Sequence, residues 1–257
     1  MPDTEEKILD AALKVLISEG YTDATTRRIA QEANFTEMIL LQKFQSKENL
    51  LREARKKNPN EFLKYWDEAY KGVPPWDLDH PQPAFQALIN ANEIIPGRVL
   101  DIGCGRGENA IMLAMNGYDV TGIDLAEAAI SSAKAKTIER HVKVNFVVGN
   151  VLQMDHLFME GEFDVVIDSG LFHAMMDEER HFFARQVWRV LKTDGKYFML
   201  CFSDKELSED GPIKLSKTEI EHTFTPFFNI IYIKDTTFDT RFDPSSRKAY
   251  LLSAIKN

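Results

Sequence analysis

Cysteine is nearly absent: Cys104 and Cys201 are the only two in 257 residues. Two cysteines cannot staple a secreted scaffold. They lack metal-ligand spacing and suit a reducing cytoplasm, so no metal site is expected. No apolar run approaches the roughly 20 residues a membrane span needs. The polar start MPDTEEKILD is not a signal peptide. Repeats and low-complexity tracts are missing as well. Positive charge is short, with 31 Lys and Arg against 40 Asp and Glu, a net charge of −9. That balance counts against nucleic acid as the main partner. The shortage is also local. Residues 1–58 hold 10 of the bases and 10 of the acids, so the whole acidic excess lies after residue 58. What is present, 44% hydrophobic and 28% charged residues, is a globular composition able to bury a sizeable core.

The chain changes character near Lys56-Lys57-Asn58-Pro59-Asn60, because the residue before a proline is biased away from helix. Two domains are expected, 1–58 and 59–257. The first reads as all helix. Ile8, Ala11, Ala12, Val15 and Leu16 recur at helical spacing, and Gly20 is expected to stop the run. Thr25 and Thr36 offer N-cap chemistry for two short helices, 26–33 and 37–44, and Ser46-Lys47-Glu48-Asn49 opens a fourth. After residue 84, strands are expected at 99–102, 119–123, 144–148, 163–167 and 197–202. Helices are expected at 108–116, 126–138 and 178–191. Strands alternating with helices imply an α/β fold with a parallel sheet covered on both faces. Segments 228–233 and 249–255 have no helix between them, which predicts a final antiparallel hairpin.

Two short helices joined by a tight break form a helix-turn-helix. Residues 6–54 resemble the DNA-binding domain of TetR-type repressors. The resemblance rests on Ile8-Leu9-Asp10-Ala11-Ala12, Gly20-Tyr21, Ala24-Thr25-Thr26, Ile29-Ala30, Phe44 and Ser46-Lys47-Glu48-Asn49-Leu50-Leu51. It implies DNA contact through residues 26–47. The residues themselves argue otherwise. Glu37, Met38, Leu41 and Gln42 stand where that family carries phosphate- and base-contacting groups, and Glu37 sets a negative charge towards phosphates. Packing, homodimer formation or gating of a pocket are the competing roles for this segment.

Val99-Leu100-Asp101-Ile102-Gly103-Cys104-Gly105-Arg106-Gly107 is the most informative stretch. A buried strand ends beside an acid, three alternating glycines follow, and a helix begins. Glycines permit a tight turn and let a ligand approach the backbone. The spacing is Gly-x-Gly-x-Gly, not the Gly-x-Gly-x-x-Gly of dinucleotide sites. That favours a ligand without a pyrophosphate, and Asp101 suits a cationic amino group. Asp124 ends the second strand, followed by Leu125, and can accept both hydroxyls of a ribose. Asn150 and the Val151 amide close the third strand, where an adenine edge would sit. Asp168 ends the fourth and is expected to face the crevice beside Gly103.

Together these features resemble class I S-adenosylmethionine-dependent methyltransferases over about residues 60–257. The resemblance implies a Rossmann-like seven-stranded sheet with an antiparallel last strand, and S-adenosyl-L-methionine as cofactor. Asn150 stands where such enzymes more usually carry aspartate. Trp66, Tyr70, Pro75-Trp76-Asp77-Leu78, Pro81-Gln82-Pro83, Asp168-Ser169-Gly170-Leu171-Phe172-His173, Cys201-Phe202-Ser203-Asp204 and Gly211-Pro212 are similar to the group acting on thiopurines, thiols, halides and quinones. Trp76 offers either a π-face to the sulfonium or a cover for the sheet edge.

Methyl transfer needs a positioned nucleophile more than it needs chemistry from the protein. His173 is the candidate base, since its ordinary pKa suits that task. Lining the pocket or capping the next helix are its alternatives. Cys201 ends an apolar strand and reads as core. The expected function is methylation of a small nucleophile, a thiol first, with halide, phenol or quinol as further acceptors. The competing function is a TetR-like regulator whose second domain senses the cofactor.

Overall fold

The structure is a computed structural model that describes residues 4–207, 213–241 and 243–257. The expected Gly211-Pro212 feature lies outside the described residues. The chain divides into two compact units, one running to Val73 and the other starting at Pro74.

The first unit holds α1 (Thr4–Asp23), α2 (Thr26–Ala33), α3 (Glu37–Phe44), α4 (Lys47–Lys57) and α5 (Pro59–Lys71). Three N-caps are where the sequence puts them: Thr25, Thr36 and Ser46 accept from the amides of Arg28, Ile39 and Asn49. Gly20 does not end α1, which continues to Asp23. One glycine costs a helix only about 1 kcal/mol, which the buried stripe Ile8, Ala12, Val15 and Leu16 outweighs. Pro59 does mark a break, because Asn58 leaves the helical region (φ −132°, ψ 66°). Proline is welcome at the first helical position, however. A new helix therefore starts there, and it belongs to the same unit.

The second unit holds α6 (Pro83–Asn90), β1 (Arg98–Ile102), α7 (Glu108–Met115), β2 (Asp119–Asp124), α8 (Glu127–Glu139), β3 (Asn145–Val148) and β4 (Phe163–Ser169). After these come α9 (Asp177–Val190), β5 (Leu191–Phe202), α10 (Lys217–Phe224), β6 (Phe228–Thr240) and β7 (Asp243–Lys256). Two 3-10 turns, Val151–His156 and Phe172–Ala174, follow β3 and β4. The seven strands lie in the order β3-β2-β1-β4-β5-β7-β6. The first five pair in parallel, while β7 runs antiparallel to both β5 and β6.

Strand side chains alternate between two cores. Leu100, Val166, Tyr197, Met199 and Cys201 face α9 and α10, packing with Phe183, Val187, Ile220 and Phe224. Val99, Val165, Ile167, Phe198 and Leu200 face α6, α7 and α8, packing with Phe85, Leu88, Leu113 and Ile130. Burial on both faces explains the unbroken apolar runs of the central strands. The hairpin is longer than expected, because the polar Lys234-Asp235-Thr236-Thr237 carries β6 onward as the exposed edge strand. Edge strands favour such residues, since charge discourages further pairing.

Candidate active site

The sheet reverses its winding between β1 and β4, and open α/β sheets bind ligands at such a switch point. The glycine loop leaves β1 there. Gly103, Gly105 and Gly107 all adopt positive φ (66°, 53° and 80°). A Cβ on Gly103 would lie 3.0 Å from Leu171, and one on Gly107 would lie 2.6 Å from the Phe146 ring. The turn thus needs glycine for conformation and for space. Cys104 is half-buried within it, and its amide donates to the Ile123 carbonyl (3.0 Å). Burial, then Asp101 and Asp124, push the Cys104 thiol well up.

Asp101 is 1% exposed, and neither carboxyl oxygen has a hydrogen-bond partner of normal geometry. Burial, then the Asp168 and Asp124 carboxylates, raise its pKa well above the ordinary value, while the Ala110 amide in the first turn of α7 pulls it down. A buried acid left unsatisfied beside two more acids is a receptor for a cation. The residues present therefore fit a ligand with an ammonium group lying against a glycine cradle.

Asp124 sits at the end of β2. Its Oδ2 accepts from the Gly105 amide (2.8 Å) and its Oδ1 from the Ala126 amide (2.9 Å). Burial raises its pKa, and the Ala126, Gly105 and Leu125 amides oppose that shift. Each oxygen keeps a lone pair for a hydroxyl. Leu125 follows it, half-buried. Across the sheet, Asn150 caps a 3-10 turn: its Oδ1 accepts from the Leu152 amide (2.9 Å). Asn150 is thus spent mainly on the chain itself, whereas Val151 opens that turn, where a helical N–H has no internal partner.

Two of the expected site residues are engaged by the chain itself, Asp168 and His173, and Asp168 acts on Asp101 through its charge. Asp168 is fully buried, and it accepts from the Leu171 amide (2.8 Å), the Phe172 amide (3.1 Å) and the Tyr197 hydroxyl (3.1 Å). Burial lifts its pKa to about 7 against these bonds. Its work is to order the turn after β4. His173 is buried too, and its Nδ1 accepts from the Phe202 amide (3.1 Å). Its ring packs between Phe202 and Phe238. Burial, then Arg180, lower its pKa to about 3. With Nδ1 engaged as the acceptor, the neutral ring carries its proton on Nε2. It therefore has no free lone pair with which to act as a base. Cys201 lies in the core, as expected.

A clamp that the sequence does not announce closes one side of the site. Asp77 is buried beside half-buried Trp76 and pairs with Arg106 of the glycine loop (Oδ2 to Nη1, 2.7 Å). Arg241 donates through its amide to the Pro75 carbonyl (2.8 Å) and through Nη1 to the Asp77 carbonyl (2.9 Å). Gln82 and the Asp239 backbone exchange two hydrogen bonds (2.9 and 3.0 Å). Segment 74–82 is therefore a strap held to the glycine loop at one side and to the β6–β7 hairpin at the other. The signal available in sequence was the acid within Pro-Trp-Asp and the base between Gly105 and Gly107. Glu108 adds a second tie, pairing with Lys136 of α8 (2.6 Å) and with Arg140 just past its end (2.7 Å). Among the described residues no group of three or more His, Cys, Asp and Glu could hold a metal ion.

In the helical unit, acids engage the bases that DNA contact would need. Arg27 faces Glu37 (3.6 Å), Arg28 pairs with Glu19 (2.7 Å) and Glu32 (3.1 Å), and Lys43 lies 3.8 Å from Glu5. Thr26 also donates to Glu37. Met38 and Leu41 are exposed on α3.

Comparison with known proteins agrees with this geometry. Residues 99–195 match the methyltransferase domain family, and residues 8–54 match the tetR family of bacterial regulatory proteins. The 2-heptyl-1-hydroxyquinolin-4(1H)-one methyltransferase of Mycobacteroides abscessus is 32% identical over 160 residues, covering 61% of this chain and 69% of that protein. Probable thiol methyltransferase 2 of Arabidopsis thaliana is 29% identical over 176 residues, covering 66% and 76%. A solved chain concerned with conversion of a disulfide bond into a thioacetal group during echinomycin biosynthesis superposes with a TM-score of 0.67 at 30% identity, covering 75% and 88%. The chain belongs to the S-adenosylmethionine-dependent methyltransferases, with an N-terminal TetR-like segment. No helix among the described residues is long and apolar enough to cross a membrane.

Proposed function

We propose that the protein transfers the methyl group of S-adenosyl-L-methionine to a small-molecule nucleophile, a thiol foremost. The observation that carries the cofactor reading is the orphaned Asp101 carboxylate beneath the Gly103 turn. When bound, the cofactor supplies an activated methyl on a sulfonium. The chain's own residues then have positioning work to do. Asp101 would accept from the ammonium of the methionine part, and Asp124 from the ribose hydroxyls. The Val151 amide would meet the adenine edge, and the strap would bring Trp76 over the site. Orientation alone can lower such a barrier by roughly 7–11 kcal/mol; the acceptor reacts as its thiolate, having given its proton to solvent, and displaces the neutral thioether from the methyl carbon. The 29% identity to a probable thiol methyltransferase supports the thiol. Free Cys104 and Cys201 suit a reducing cytoplasm as the place of action.

Calorimetry with S-adenosylhomocysteine tests the cofactor reading, with micromolar binding expected. No binding at millimolar concentration ends it. A screen with labelled cofactor over thiols, halides, phenols and amines tests the acceptor, and labelling of amines alone refutes the thiol.

One observation favours a second role, DNA binding through residues 26–47: the match of residues 8–54 to the tetR family. The acids engaging Arg27, Arg28 and Lys43 oppose it. A gel shift at low salt on the DNA upstream of the gene decides, with no shift expected.

A further inference from the structure

Arg180 lies in the first turn of α9, just after the 3-10 turn that Asp168 orders at the carboxyl end of β4. It is 5% exposed. A buried guanidinium is costly unless its donors are filled. The amide end of a helix adds to that cost, because the macrodipole is positive there. Among the described residues, only one of the three guanidinium nitrogens is engaged. Nη1 pairs with Asp177 (2.7 Å) and lies 3.9 Å from Glu219 of α10, and both of those acids are largely open to solvent. Nε and Nη2 are buried and have no partner among the described residues. These two nitrogens form one edge of the guanidinium, the edge that takes two oxygens of a planar anion at once. The guanidinium carbon stands 5.5 Å from the centre of the Phe172 ring, and that ring packs against Phe183 and Phe224. The surroundings are thus apolar, cationic and beside the turn that borders the candidate active site.

We propose that Arg180 is a specificity residue of the acceptor site, and that the acceptor carries a carboxylate or a like planar oxyanion received by the Nε–Nη2 edge. The proposal rests on the methyltransferase reading above. It narrows that reading to nucleophiles bearing an anionic group apart from the reacting atom. The anion would fill both orphaned donors and neutralise the buried charge. A neutral acceptor of equal size would leave both costs in place.

The test compares 3-mercaptopropionate with its methyl ester as acceptors for the full-length protein. Affinity for S-adenosylhomocysteine is measured alongside. Two charge-assisted hydrogen bonds predict a kcat/KM preference of about 150-fold or more for the carboxylate. Arg180→Met should reduce that preference to about one, mainly by raising KM for the carboxylate, with product affinity unchanged. Arg180→Lys, which keeps the charge but loses the fork, should keep only part of it. Equal turnover of acid and ester by the unaltered protein overturns the proposal without any variant. An equal loss on both acceptors in Arg180→Met assigns the residue to packing and also overturns it. Turnover of neither acceptor by a protein that binds S-adenosylhomocysteine refutes this acceptor class but not the cofactor site. Failure to bind S-adenosylhomocysteine refutes the methyltransferase reading itself.

Discussion

Replacing Asp101 by Asn should make the protein more stable and unable to hold its cofactor. The buried carboxylate has no partner and two acids for neighbours. Leaving a buried group unsatisfied costs about 1–3 kcal/mol. Asn keeps the shape and removes the charge. At about 2–4 °C per kcal/mol for a domain of this size, Tm should rise by roughly 2–12 °C at pH 7. The sign of the pH dependence follows from the raised pKa. The folded state keeps a proton that the unfolded chain releases above pH 3.8, so wild-type stability falls as pH climbs from there towards the folded pKa. The Asn variant lacks that slope. The advantage of the variant should therefore shrink on acidification towards pH 4. In binding, the wild-type carboxylate must ionise to meet an ammonium, so calorimetry in buffers of different ionisation heat should show proton release. The variant should bind S-adenosylhomocysteine roughly 150- to 5,000-fold more weakly, from the 3–5 kcal/mol for breaking a buried pair. Scanning calorimetry at pH 4.5 and 7.5 with titration calorimetry reads all of this. A variant that melts lower at pH 7.5 and binds as before would refute the reasoning.

Three further outcomes are expected. Asp77→Asn should loosen the strap from Arg106 and raise KM for S-adenosylmethionine several-fold, leaving helix content unchanged by circular dichroism; an unaltered KM removes the strap from catalysis. His173→Asn should keep kcat within about tenfold and leave the shape of the pH–rate profile across pH 6–8 unchanged, since the native ring stays neutral down to about pH 3; loss of an acidic limb present in the native profile would restore it as the base. The same depressed pKa means that the unfolded chain takes up a proton below about pH 6.5 that the folded protein refuses, so His173 subtracts stability as pH falls from there to 3. Gly107→Ala should lower Tm by several degrees, because φ is 80° and the added Cβ would meet the Phe146 ring at 2.6 Å; such positions cost about 1–3 kcal/mol, and an unchanged Tm would contradict the cradle geometry.

The parallel core was legible because its strands are buried on both faces and end in marked residues: Asp101 with the glycines, Asp124 and Asn150. The helical unit was legible from its caps. What escaped reading depends on distance in sequence. Asp77 and Arg106 carry opposite charges, but nothing in either neighbourhood announces that they meet. Asp168 and His173 both follow a strand's carboxyl end. Their orientation is set by Tyr197 and by the Phe202 amide, both on β5. Strand-end position tells where a residue begins and not which way its side chain turns. The length of β6 was hidden because an edge strand is polar by nature.

The strap bears on how the protein comes into being. Its fastenings join Gln82 to Asp239 and Asp77 to Arg241, contacts that span 157 and 164 residues. A ribosome delivers the glycine loop, Asp124 and the first four strands well before the hairpin that holds the strap, at about 5–20 residues per second. A nascent chain therefore carries the floor of the site for several seconds without its fastened rim. Completion of the site waits for the C-terminal end to leave the exit tunnel, and a chain that stalls before residue 239 would expose an acidic, unstrapped crevice.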